Sequence, residues 1–220
     1  MTTFGMIFDL DGVIVDTAEF HFLAWKRLAD EEGIPFTRED NEALRGVSRR
    51  ESLELLLKGR KIDEETAQAW MARKNSYYVN YLKDLTPQDI LRGSYEFLQN
   101  ARAEGYRIGL ASASRNANTV LERLEISHLF DVIGDGYAVV NTKPASDLFL
   151  WVAGGLGVPA RQCIVFEDAE AGVEAALRGG MLCVGIGPTE RVGKAHLICQ
   201  GLYELTIQQM QHLLAERQLI

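Results

Sequence analysis

Asp9 and Asp11 flank a single leucine directly after the apolar run Met6-Ile7-Phe8, and Gly12 follows. Side chains two apart share a face while the chain stays extended. Acids just beyond the carboxyl end of a buried strand are badly placed for a core and well placed for chemistry. The alternative reading of Asp-x-Asp-Gly is a turn, because Asp and Gly both favour turns. Three further polar groups follow apolar runs later in the chain. Ser112-Ala113-Ser114 comes after Ile108-Gly109-Leu110-Ala111, Thr142-Lys143-Pro144 after Ala138-Val139-Val140, and Glu167-Asp168 after Ile164-Val165-Phe166. These are the parts that phosphoryl transfer needs. Carboxylates hold Mg²⁺, a hard ion that prefers oxygen ligands. An ionised Asp can be a nucleophile. A lysine and a hydroxyl can hold the transferring oxygens, and a second acid can protonate the leaving oxygen. Each piece also has a plainer reading: Ser112 as a turn or cap residue, Lys143 as a solvated surface lysine, Glu167-Asp168 as acids favouring a helix N-terminus. Four independent coincidences at successive strand ends ask for more than one shared site does.

The elements that would position these groups alternate. Helical spacing predicts a helix over 18–32, with Phe22, Trp25, Leu28 and Ala29 on one face and Gly33 and Pro35 stopping it. Helical stretches follow over 38–44, 48–57 and 63–82 with no strand between them. Ser48 with Glu51 has capping-box spacing, and Asp63 before Glu64-Glu65 is a good helix start. From Leu91 the pattern changes to helix 94–104, strand 107–111, helix 116–124 with Asn116 as a candidate cap, and apolar pieces 132–133 and 138–140. Helix 146–156, strand 163–166, helix 171–177 ending at Gly179-Gly180, strand 182–185 and helix 206–217 complete it. Alternating strand and helix implies a parallel sheet with helices on both faces. The expected fold is α/β, a Rossmann-like core of residues 1–15 and 88–220 interrupted by an inserted helical domain over 16–87.

The 220 residues carry a net charge of -8, which argues against nucleic acid or an anionic membrane as the main partner. Composition is that of a folded globular chain, 47% hydrophobic and 25% charged. Cys163, Cys183 and Cys199 form no C-x-x-C pair and read as reduced core thiols; the four histidines show no zinc spacing. The N-terminal Met1-Thr2-Thr3-Phe4-Gly5 lacks a basic, then apolar, leader pattern, and no run is long enough to span a membrane. A cytoplasmic, monomeric enzyme acting on a small molecule is the expectation.

In order and type, Asp-Leu-Asp-Gly-Val at 9–13, Ser112, Lys143-Pro144 and Glu167-Asp168 resemble the four motifs of the haloacid dehalogenase superfamily. The likeness covers nearly the whole chain, and the helical insert looks like that family's small cap. The resemblance implies Asp9 as nucleophile and Asp11 as general acid/base. It implies Mg²⁺ held by Asp9, Asp168, the Asp11 main-chain carbonyl and Glu167. It implies a phosphoryl site of Ser112, the Ala113 amide and Lys143, and a cis Lys143-Pro144 bond.

Within the superfamily, Asp16-Thr17-Ala18-Glu19-Phe20-His21-Phe22, Leu44-Arg45-Gly46-Val47-Ser48-Arg49 and Leu110–Asn116 resemble the β-phosphoglucomutase family. That implies a sugar phosphate as substrate, β-glucose 1,6-bisphosphate as the intermediate that donates phosphoryl, and a substrate set of Thr17, His21, Arg45, Gly46, Arg49, Ser114, Arg115 and Asn116. A guanidinium such as Arg49 suits a distal phosphate. A sugar-phosphate phosphatase of the same fold is the alternative. The chain departs from the family's usual pattern in having Arg at 45 and 115 for Lys, Leu91-Arg92-Gly93 for Pro-Gly at the return linker, and Ser146 for Pro.

Overall fold

The computed structural model describes residues 3–218; Met1 and Thr2 of the N-terminal stretch read above lie outside them. The first strand, β1 (Gly5–Phe8), is buried along its whole length, as a strand covered on both faces must be. The chain then leaves the sheet for α1 (Ala18–Glu31), α2 (Arg38–Glu42), α3 (Arg49–Leu57) and α4 (Glu64–Tyr81). It returns through α5 (Ser94–Ala103), β2 (Arg107–Ala111), α6 (Ala117–Arg123), β3 (Val132–Gly134), α7 (Asp147–Leu156) and β4 (Cys163–Glu167). The last part runs α8 (Glu170–Arg178), β5 (Leu182–Ile186), α9 (Thr189–Val192), β6 (Leu197–Cys199) and α10 (Ile207–Gln218). The six-stranded sheet is parallel, in the order β3-β2-β1-β4-β5-β6. Phe8 pairs with Leu110 on one side and Phe166 on the other, so β1, β2 and β4 end at one level. Whatever follows those ends meets at one edge.

One face of the sheet packs Phe8, Phe97 and Phe166 together. Phe8 stacks on Phe166 with ring centroids 4.4 Å apart, and Phe97 stands edge-on to both. The other face packs Ile7, Val165 and Cys183 against Phe149, Val152 and Val173 of α7 and α8. The helical block has its own apolar cluster, built on Trp25, Leu28, Leu53 and Leu56. Its helices start where their caps dictate. Ser48 and Asp63 accept from the amides of Glu51 and Thr66, and Thr37 closes a full capping box with Asp40. The two linkers between block and core are stitched to each other. Val15 bridges to Ile90, the Leu91 amide donates to the Ile14 carbonyl at 2.9 Å, and Ser94 Oγ donates to the Val13 carbonyl. Gly93, at φ +80°, lies where a Cβ would meet the Tyr203 backbone at 2.6 Å. The return linker therefore keeps its glycine for a steric reason, while Arg92 packs over the Tyr203 ring.

Some expectations differ from the structure. The apolar piece 138–140 is loop, with Val140 95% exposed, so Lys143 does not follow a strand; it reaches the site from a long excursion after β3. Glu167 is the last residue of β4 instead of the residue after it. Asn116 makes no side-chain cap to its helix. The edge strand β6 and the single turn α9 went unread because three and four residues carry no legible period. Lys143-Pro144 is cis.

Truncating Phe166 removes the ring that both Phe8 and Phe97 pack on. Phe166→Ala is expected to cost about 3–5 kcal/mol of unfolding free energy, read as a lower denaturant midpoint at unchanged slope.

Candidate active site

The edge where β1, β2 and β4 end collects the polar residues. Asp9 leaves β1 with its amide bonded to the Phe166 carbonyl at 2.9 Å, which aims its carboxylate between β1 and β4. Lys143 is wholly buried and lies between the two strands' acids. Its ammonium donates to Asp9 Oδ1, to Glu167 Oε2 at 2.8 Å and to the Ala111 carbonyl at 3.1 Å, filling its three donor positions. Burial alone would push this lysine down; Asp9 and then Glu167 reverse that and hold it above the usual lysine range. Burial pushes Glu167 up to about 8 against the pull of Lys143. Its other oxygen accepts the amides of Asp168 and Ala169, both at 3.0 Å, and Gly172 leaves room for it, since a Cβ there would sit 1.9 Å from Oε2.

Ligand oxygens of Asp9, Glu167 and Asp168 lie within 4.8 Å of one another, all buried. An all-carboxylate set suits a hard divalent cation such as Mg²⁺ and not a soft one. Burial, and then the Asp9 charge, push Asp168 up to about 7 against the pull of Arg45 and Arg191. Gly12 permits the crowding: at φ +80°, a Cβ there would fall 2.3 Å from Asp168 Oδ2.

Asp11 stands apart from that cluster. Its carboxylate turns toward the helical block, where Thr17 Oγ1 donates to Oδ1 and His21 Nε2 lies 4.0 Å from Oδ2. Tyr78 of α4 donates to Thr17 Oγ1 at 3.3 Å, and its ring stacks on His21 with centroids 4.0 Å apart. Burial, and then the Asp9 charge, raise Asp11 to about 7. The two acids of the Asp-x-Asp pair thus occupy different surroundings: one sits among a lysine and other carboxylates, the other among hydroxyls and an imidazole.

Above the edge is a cavity bounded on its other side by the helical block. Asp9, Asp11, Ser112, Ala113 and Asp168 form its floor; Leu44, Arg45, Gly46, Arg49 and Lys74 come from the block. Ser114 and Arg115 line its side wall. Arg49 donates to Asn75 Oδ1 at 2.7 Å, and Asn116 donates to the same oxygen at 2.9 Å, so a single amide joins block to core. The Ser112 and Ser114 hydroxyls accept the Ser114 and Asn116 amides, which folds this loop tightly over the floor. Gly46, at φ +72°, lies so close to the core that a Cβ there would sit 2.9 Å from the Ala169 Cβ. Arg45 reaches across to Asp168 Oδ2 at 3.2 Å. Asp9, Asp11, Ser112, Ala113, Ser114, Arg115, Asp168, His21, Arg45, Gly46 and Arg49 line this cavity, with Thr17, Lys143, Glu167 and Asn116 bonded to groups at its edge.

Lys74, Asn75, Tyr78 and Arg191 escaped the sequence reading. Lys74 is 2% exposed, hydrogen-bonded to His21 Nδ1 at 2.8 Å and packed over the Trp25 and Tyr78 rings. Burial first, and then the nearby Arg49 charge, push both Lys74 and His21 well below their usual ranges; for His21, Lys74 acts more strongly than Arg49. A signal existed: Ala67, Met71, Lys74 and Tyr78 fall at helical spacing on the buried face of α4, and a lysine within such a stripe needs a partner.

Comparison with known proteins agrees with this arrangement. Residues 6–186 match the model of the haloacid dehalogenase-like hydrolase family. The chain is 44% identical to the β-phosphoglucomutase of Bacillus subtilis, over 93% of this chain and 92% of that one. It is 31% identical to a phosphorylated carbohydrates phosphatase of Thermotoga maritima, over 80% and 82% of the two chains. The crystal structure of β-phosphoglucomutase from Clostridium difficile superposes with a TM-score of 0.96 at 38% identity, covering 100% of both chains. The motifs at the strand ends, the parallel core that brings them together and these matches place the chain in the haloacid dehalogenase-like hydrolase family.

Proposed function

We propose that this protein is a Mg²⁺-dependent β-phosphoglucomutase, interconverting β-D-glucose 1-phosphate and D-glucose 6-phosphate through a phosphorylated Asp9 and β-glucose 1,6-bisphosphate. The observation that carries the reading is that, besides the carboxylates and the Lys143 that pairs with Asp9, the cavity is lined by two further guanidinium groups, Arg49 and Arg115. They are near enough that the Arg115 charge adds to burial in lowering Arg49 below its usual value. Hydrolysis of a monoester needs one phosphate-binding group of cations; a bisphosphate that reacts at either phosphate needs two. The names of the Bacillus subtilis and Clostridium difficile relatives support the same reading.

The residues divide the work as follows. In one half-reaction the sugar 6-hydroxyl attacks the phosphoryl group on Asp9. Its O–H proton passes to Asp11, the Asp9–phosphorus bond breaks, and the bisphosphate forms. After the bisphosphate turns end for end, Asp9 attacks the 1-phosphoryl group and Asp11 returns the proton to the departing O1, releasing glucose 6-phosphate and phosphorylated Asp9. An acid whose burial holds it near 7 can carry a proton in both directions at neutral pH. Ser112 Oγ, the Ala113 amide and Lys143 are the donors for the transferring oxygens. Asp9, Glu167, Asp168 and the Asp11 carbonyl would hold Mg²⁺, whose charge lets a carboxylate approach an anionic phosphoryl group. Residues 16–87 act as the cap: Thr17 and His21 position Asp11 and the sugar hydroxyl, and Arg45, Gly46, Arg49, Ser114, Arg115 and Asn116 hold the sugar and the distal phosphate. Closure of that cap excludes water as the competing acceptor. The same reading takes the chain as a cytoplasmic monomer; among the described residues no helix is long and apolar enough to cross a membrane.

A phosphatase of the same fold is the second reading, favoured by the Thermotoga maritima relative. One assay separates them. With Mg²⁺, β-glucose 1-phosphate and a trace of β-glucose 1,6-bisphosphate, the proposal predicts glucose 6-phosphate as the main product. Steady release of inorganic phosphate without glucose 6-phosphate would establish the phosphatase. In the same assay Arg49→Ala is expected to lower mutase kcat/KM by roughly a hundredfold or more, as loss of a charged hydrogen-bond partner does. Hydrolysis of a small acyl phosphate such as acetyl phosphate should change far less. Equal losses in both would make Arg49 a support of the fold instead.

A further inference from the structure

Arg191 belongs to α9 at the rim of the core, and none of the steps above uses it. Its place is nevertheless built. Val192 beside it is fully buried against β5, where Gly185 leaves room for it. Gly187, at φ +114°, passes so close beneath the guanidinium that a Cβ there would lie 2.8 Å from Arg191 Nη2. Arg191 Nε is a buried nitrogen with no hydrogen-bond partner, so the group is held by charge more than by a full set of hydrogen bonds.

The charges that hold it form a closed set of four. Arg191 lies 3.6 Å from Asp168 Oδ2 and 3.6 Å from Glu42 Oε2. Arg45 lies 3.2 Å from the same Asp168 oxygen and 3.0 Å from the same Glu42 oxygen. Each arginine thus faces both acids. Glu42 and Arg45 belong to the helical block, Asp168 and Arg191 to the core, so the Arg45–Asp168 and Arg191–Glu42 contacts cross from one to the other. Asp168 is also one of the three buried carboxylates grouped as for a cation. Two guanidinium charges beside this carboxylate repel a divalent ion, and the Arg45 hydrogen bond takes up one of its lone pairs.

We propose that Arg191 is a positioning residue that, with Glu42 as its counterpart, holds the helical block against the core while Asp168 carries no cation, and that it lowers the affinity of the site for Mg²⁺. Cation binding and these charge contacts draw on one carboxylate, that of Asp168. The inference rests on the reading of Asp168 as a cation ligand.

The test is calorimetric titration of MgCl₂ into the full-length, substrate-free protein, with small-angle X-ray scattering of the metal-free form. Arg191→Gln is expected to tighten Mg²⁺ binding roughly three- to tenfold, as removal of a unit charge at this range does, and to enlarge the metal-free radius of gyration. Arg191→Lys, which keeps the charge, should restore both toward the wild-type values. Glu42→Gln leaves both arginines to Asp168 alone and should weaken Mg²⁺ binding while also loosening the block. Wild-type Mg²⁺ affinity in Arg191→Gln would overturn the inference by itself. If that variant does not fold, Glu42→Gln decides, and wild-type affinity and radius there overturn it. A wild-type protein that binds no Mg²⁺ overturns the reading of Asp168 as a ligand, and this inference with it.

Discussion

Everything at the edge of the sheet depends on burying carboxylates that repel one another. Asp9, Glu167 and Asp168 stand within 4.8 Å with almost no access to water. Such crowding is tolerable only because cations are built in beside each of them. Lys143 spans Asp9 and Glu167, and Arg45 and Arg191 meet Asp168. Breaking a buried pair of this kind strands a charge and typically costs about 3–5 kcal/mol. A lysine at that position makes the folded site possible by placing one ammonium between Asp9 and Glu167. The glycines follow from the same constraint. Gly12 and Gly172 are the points where any side chain would collide with an Asp168 or Glu167 carboxylate.

The second acid of the opening motif obeys a different rule. Asp11 is held from the helical block, through Thr17 and, behind it, Tyr78 and the His21–Lys74 pair. The sheet therefore fixes Asp9, while the fit of the block against the core places Asp11. That division matches the chemistry proposed. The nucleophile must stay in line with the phosphoryl group, whereas the proton carrier should be in place only when a sugar, not water, fills the cavity. Asn75, accepting from Arg49 of the block and Asn116 of the core, ties the distal end of the cavity to the same closure.

Much of this was legible in the amino-acid order. The acids, the hydroxyl and the lysine stand next to apolar runs whose lengths and flanks announce strands and helices, and a parallel sheet brings such ends together whatever the exact strand order. What was not legible has physical reasons. Lys143 arrives from a loop whose apolar residues, 138–140, look like a strand and are instead exposed, so its local context was misread although its place at the site was expected. β6 and α9 are too short to show a period, and with α9 went Arg191. A lysine in the apolar stripe of α4 signals that Lys74 needs a partner, but only the three-dimensional approach of α1 to α4 makes that partner His21 and brings Lys74 and Tyr78 into the surroundings of Asp11.

In the proposed mechanism the phosphoryl group on Asp9 is handed to a sugar and withheld from water because the helical block, seated on the core, places Asp11. The most direct measurement is the lifetime of the phosphoenzyme. The protein would be labelled at Asp9 with ³²P-acetyl phosphate in the presence of Mg²⁺, then chased by rapid quench with buffer or with β-glucose 1-phosphate. Slow loss of label as inorganic phosphate is expected in buffer, and rapid transfer into hexose bisphosphate and glucose 6-phosphate once sugar phosphate is added. Loss to inorganic phosphate at the same rate with and without the sugar would contradict that mechanism.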